Sequence, residues 1–83
     1  MTTEHAVAVC RDALSIYRAL RDRLAQLDPE GEEAQSTKAQ LHDARVGVLT
    51  RCAACAEGTE VPGAEEGAAF EGYVRAVEAA LGG

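Results

Sequence analysis

Apolar residues recur at steps of three and four along the first third of the chain. Val7, Cys10, Ala13, Leu14, Tyr17, Leu20, Leu24 and Leu27 follow this spacing between residues 4 and 27. At 3.6 residues per turn such positions share one side of a helix. Val9 and Ile16 widen that side to about half the circumference, more than a minimal seam needs. Thr3 suits the N-cap, and Glu4 complements the positive end of the helix dipole.

A sharp break follows in Leu27-Asp28-Pro29-Glu30-Gly31-Glu32-Glu33. Asp28 suits an N-cap, Pro29 a first helical position and the glutamates a helix N-terminus, which predicts a second helix over 29–57. Gly58 supplies a left-handed stop. The connection is so short that the first two helices must form an antiparallel hairpin. Thr59 to Gly63 reads as a loop, and a third helix is expected over 64–81, with Phe70, Tyr73, Val74, Val77 and Leu81 on its apolar face. Glu71 falls on its outer face. Ala68, Gly72 and Ala76 lie four apart, a spacing that fits either close backbone approach to a neighbour or a glycine that is merely tolerated. The expectation is one all-α domain over 1–83, an antiparallel helical hairpin plus a shorter third helix in an up-down-up bundle.

The helix lengths do not match. At 1.5 Å per residue the three helices would measure about 36, 43 and 27 Å. A third helix returning antiparallel from the end of the second would run out near Leu41, leaving Leu20, Leu24 and Leu27 uncovered at the Asp28 end. There the second helix offers only small partners, such as Ala34, Thr37 and Ala39. Each leucine is worth about 1.5–3 kcal/mol when fully buried. Leu20, Leu24, Leu27 and Ala34 are therefore candidate interface residues, covered by a protein partner or, most simply, by a second copy in a homodimer.

Composition sharpens this picture. Of 83 residues, 47% are hydrophobic, but tryptophan is absent and phenylalanine occurs once, so the core is thin. Chains of this size commonly gain stability from a metal, a disulfide or a partner subunit. With 14 acidic against 8 basic residues, the net charge of −6 opposes binding to nucleic acid. Arg11, Arg18, Arg21 and Arg23 alternate with Asp12 and Asp22, the pattern of a solvated helix face. No apolar run approaches the roughly 20 residues that span a bilayer. Met-Thr-Thr-Glu-His lacks the basic start of a secretory leader, so a cytoplasmic location is expected. Frequent Ala and Gly, and Arg in preference to Lys, suit a GC-rich bacterial genome.

Chemistry is sparse. Phosphate-binding glycine loops, His-Glu-x-x-His and Gly-x-Ser-x-Gly are all absent, and the chain reads as a non-catalytic protein. Cys10 and the Cys52/Cys55 pair should meet at the end of the hairpin away from Asp28. Three thiols there are candidate ligands for zinc or copper, or a redox device, yet a structural zinc site takes four N/S ligands. His5 lies on the polar side of the first helix, and His42 is about 15 Å along the axis from Cys52. An odd number of cysteines is a poor disulfide framework, and free cysteine packs as a small hydrophobe, so reduced core thiols and no cofactor are expected. Tyr17 and Tyr73 would line any small-molecule pocket between the helices. The leading reading is a small acidic, self-associating interaction module; the alternative is a metal-binding or redox-sensing bundle using the three cysteines.

Overall fold

Residues 3–56, 58–65 and 67–82 are described by the computed structural model. They contain three helices, α1 (Thr3–Gln26), α2 (Glu32–Arg51) and α3 (Ala68–Gly82), and no strand. The all-α class stands. Among the described residues no helix is long and apolar enough to cross a membrane.

Thr3 already belongs to α1, and its side chain lies outside the described residues, as do Glu57 and Gly83. The periodic positions of α1 fold inward as expected: Cys10, Ala13, Leu14 and Tyr17 are all buried. Asp28 does not cap α2. Its side-chain Oδ1 accepts from the Glu30 N–H at 3.1 Å, and its carbonyl accepts from the Gly31 N–H at 3.0 Å. Asp at the first position, Pro at the second and Gly at the fourth are the residues that a β-turn favours. The turn consumes these residues, so Gly31 becomes the N-cap and α2 starts at Glu32, three residues later than the spacing predicts.

The other end of α2 departs further. The helix stops at Arg51, with the Cys52 N–H on the Val48 carbonyl, instead of running toward residue 57. Cys52 then accepts at its carbonyl from the N–H groups of Cys55 and Ala56, at 3.0 and 2.9 Å. Thr59 closes a further turn onto Ala56 at 2.9 Å, with Gly58 at φ +88° in the left-handed region. No residue from 52 to 56 is a strong helix breaker. What ends the helix is tertiary: the turn buries both Cys52 and Ala56 in the core.

The chain next doubles back along α2, where Arg45 donates from Nε to the Ala64 carbonyl at 2.9 Å. Gly67, at φ +154°, shares one cleft with Leu24 and Ala25 of α1, and α3 begins beside it, four residues later than expected. Contacts between α3 and α1 then run in opposite chain order. Phe70 and Glu71 meet Tyr17, Glu78 meets Arg18, and the Leu81 carbonyl accepts from Arg11. The third helix is therefore antiparallel to α1 and parallel to α2. The antiparallel hairpin is as expected, but the third leg points the other way: up-down-down.

α1 and α2 lie in close backbone contact. α3 joins through large side chains, with Tyr17 and Phe70 edge-on at 5.0 Å between ring centroids. Its buried face is Phe70, Tyr73, Val74 and Val77, four of the five expected, and Leu81 packs at the edge. Gly72 points outward, and a Cβ built there meets nothing within 4 Å. Of the two readings of the Ala68/Gly72/Ala76 spacing, the tolerated glycine is the one observed.

Candidate functional site

The predicted residues fall in three places. At one end, helix pairing sets the start of α1 against the end of α2, and Cys10 and Cys52, both fully buried, are joined as a disulfide with their Cα atoms 4.6 Å apart. Reduced thiols were the expectation here; the correction follows from the antiparallel register, which brings residues 42 apart in sequence within bonding range. Cys55 is free and half-buried in the turn that Cys52 starts. The three cysteines thus gather as expected, but two sulfurs are bonded to each other and are not thiolate ligands in this state. Among the described residues no three His, Cys, Asp or Glu side chains form a group able to hold a metal ion. His5 and His42 are both exposed.

Tyr73 lies near this end. It is 2% exposed, and its hydroxyl has no hydrogen-bond partner among the described residues. Burial, and then the neighbouring Cys55, raises its pKa above the ordinary value. The ring also lines a shallow groove formed with Thr59, Glu60, Pro62, Ala69 and Gly72.

At the hairpin end, the returning segment and the start of α3 reach the level of Leu24. Leu20 and Leu24 are half-buried against the core, and Leu27 is half-buried as well. Ala34 and Thr37 are closed over within the chain itself. The expected overhang is accordingly smaller than the helix lengths imply, because the third helix does not start where the second ends. Ile16, on the same flank of α1, is 54% exposed.

The third place joins all three helices. Tyr17 donates to Glu71 Oε1 at 2.5 Å, and Arg21 donates from Nη1 to Glu71 Oε2 at 3.1 Å. Arg21 also lies 5.6 Å from the centre of the Tyr17 ring, within cation–π range. Burial first, then the Glu71 hydrogen bond and charge, push the Tyr17 phenol up to about 12, against opposing pulls from Arg21 and Arg45. Tyr17 is thus a fixed neutral donor. These side chains, with Arg45, Leu24, Leu41 and Gly67, line a cleft of about 400 Å³.

Sequence reasoning found Tyr17 but placed Glu71 on an outer face and Arg21 in solvent, and it passed over Arg45. Two signals were available. Glu71 adjoins the apolar Phe70, and Arg45 stands four residues after Leu41 on the buried stripe of α2. No protein-family model matches this chain, and neither a curated protein nor a solved structure is similar to it.

Proposed function

We propose that this chain is a small acidic helical interaction module that is not catalytic and that associates with a second copy of itself in the cytoplasm. One observation carries the reading: Ile16, 54% exposed, is continuous with half-buried leucines. Ile16 and Leu20, four residues apart, form a stripe on one side of α1, and Leu27, just past the helix end, follows at seven more. Leu24 widens that stripe toward the core. A second copy laid antiparallel would cover the stripe in both chains and give a local four-helix bundle. Arg23, Asp22, Glu30, Glu33 and Lys38 would pair around its edge and set orientation more than affinity. Ala34, buried in its own chain, serves the hairpin and not the dimer. The net charge of −6 speaks against nucleic acid as the partner.

Sedimentation velocity tests this reading. A dimer is expected at protein concentrations of about 0.1–0.5 mM, because association follows mass action. Ile16→Glu and Leu24→Glu should both return the monomer, Ile16→Glu without loss of helicity because its side chain is already in solvent. A wild-type chain that stays monomeric throughout that range would remove the proposal.

A second reading rests on the Cys10–Cys52 bond beside the free Cys55. In the cytoplasm such bonds are transient and redox-linked. A dithiol reductant would deliver two electrons and two protons, opening the bond to two thiols and releasing the start of α1 from the end of α2. Thiol counting by mass spectrometry after alkylation in intact cells tests it. One thiol under oxidative stress and three without it support a sensor; three under both conditions remove it.

A further inference from the structure

Arg45 is a buried cation for which the described residues supply no acid. The residue is only 8% exposed, its Nε is used on the Ala64 carbonyl, and no carboxylate among the described residues lies within ion-pair distance of it. The nearby carboxylate, Glu71, is already committed to Tyr17 and Arg21. A guanidinium withdrawn from water this far normally acquires an anionic partner, since an uncompensated buried charge is costly. Neither Nη group is both fully enclosed and unpartnered, and Arg45 lines a cleft between the helices.

That cleft has the size and character of a ligand site. Its volume, about 400 Å³, falls within the range of small-molecule pockets, and its walls combine apolar and polar groups. Leu24, Ala25 and Leu41 supply apolar surface, while Arg45 and Arg21 supply positive charge. With Nε occupied, the free edge of Arg45 is the paired Nη1/Nη2 fork, whose planar geometry matches the two oxygens of a carboxylate. The Glu71 charge close by disfavours a dianion such as phosphate more than a monoanion.

We infer that this cleft binds a small monocarboxylate with an apolar body, its carboxylate on the Arg45 fork and its body against Leu24, Ala25 and Leu41. The site shares Leu24 with the edge of the Ile16 stripe, but its anion-binding end at Arg45 lies outside that stripe and does not depend on self-association. Binding replaces the missing counter-charge and covers apolar surface, so it ties together α1, α2 and the segment before α3. Ala25 lines the cleft at an exposed position on α1, where a larger side chain would crowd the site without entering the core.

The test is a titration of the whole chain with hexanoate, hexanamide and inorganic phosphate, followed by the ¹⁵N–¹H signal of Arg45 Nε and by thermal denaturation. Hexanoate should shift that signal saturably with a Kd of about 1 mM or tighter, and should raise Tm. Hexanamide, which lacks the charge, and phosphate, which lacks the apolar body, should each bind at least ~10-fold more weakly. Arg45→Lys keeps the charge but loses the fork, and should weaken hexanoate by a similar factor. Should Arg45→Lys fail to fold, Ala25→Phe serves alone, because it crowds the cleft from outside the core and should also weaken binding. No saturable shift up to ~10 mM hexanoate would overturn the inference. So would equal binding of hexanamide or phosphate, or unchanged binding by Ala25→Phe.

Discussion

Tyr17 and Glu71, 54 residues apart in sequence, are joined by a 2.5 Å hydrogen bond that ties the middle of α1 to the first turn of α3. Arg21 completes the link by holding the other carboxylate oxygen. Because α3 makes few close backbone contacts with the hairpin, such side-chain links carry much of its docking. Glu71→Ala should lower unfolding stability by about 1–2 kcal/mol, and Glu71→Gln, which still accepts from Tyr17, by less. In a urea-denaturation double-mutant cycle, Tyr17→Phe should cost less in the Glu71→Ala background than in the wild type. Strict additivity would show that the two side chains are not coupled.

Alkali should weaken the fold. The Tyr17 phenol is held up to about 12 against an ordinary value of 10.0, and Tyr73 is also raised. An unfolded chain releases these protons near pH 10, so above that pH it binds fewer protons than the folded chain. Stability is then complete below about pH 10 and declines as pH rises toward 12. With two tyrosines and no tryptophan, tyrosinate absorbance reads this directly. Folded protein should titrate late, and denatured protein near pH 10. Tyr17→Phe should flatten the decline in the urea midpoint over that interval.

The Cys10–Cys52 bond closes a loop with a sequence separation of 42. On the chain-entropy argument, a loop of this size stabilises by about 4 kcal/mol. Reduction, or Cys52→Ser, should therefore lower stability by about 3–4 kcal/mol, a large share of what a domain this small possesses. Cys55→Ser should change it by less than about 1 kcal/mol, as for substitutions outside the core. Guanidinium denaturation of the oxidised and reduced protein decides the matter.

Two glycines of the third helical segment should respond in opposite directions. Gly72 faces open space inside α3, and Gly72→Ala should stabilise by about 0.5–1 kcal/mol through helix propensity. Gly67 sits at φ +154°, where a side chain is strained, so Gly67→Ala should lower Tm. Differential scanning calorimetry of the pair separates backbone strain from simple propensity.

Local physical chemistry written into the sequence determined the helices and the hairpin. The apolar spacing of α1, the break at Asp28-Pro29 and the apolar face of α3 each depend on neighbours within a few residues, so they were legible in the chain, although the break forms a β-turn and not the expected cap of α2. The meeting of Cys10 with Cys52 was also legible as proximity, because a short turn leaves an antiparallel hairpin little freedom. Only the tertiary structure decided the rest. The end of α2 at Arg51 has no breaker to announce it; it follows from burying Cys52 and Ala56. The reversed third helix follows from a segment that climbs back along α2 and is fastened there by Arg45 on the Ala64 carbonyl. That one reversal moved Glu71 from the expected outer face onto Tyr17 and Arg21, and it half-covered the leucines that helix lengths alone left bare. Pairings across 50 residues depend on which way a loop runs, and loop direction is set by long-range packing that no local pattern encodes.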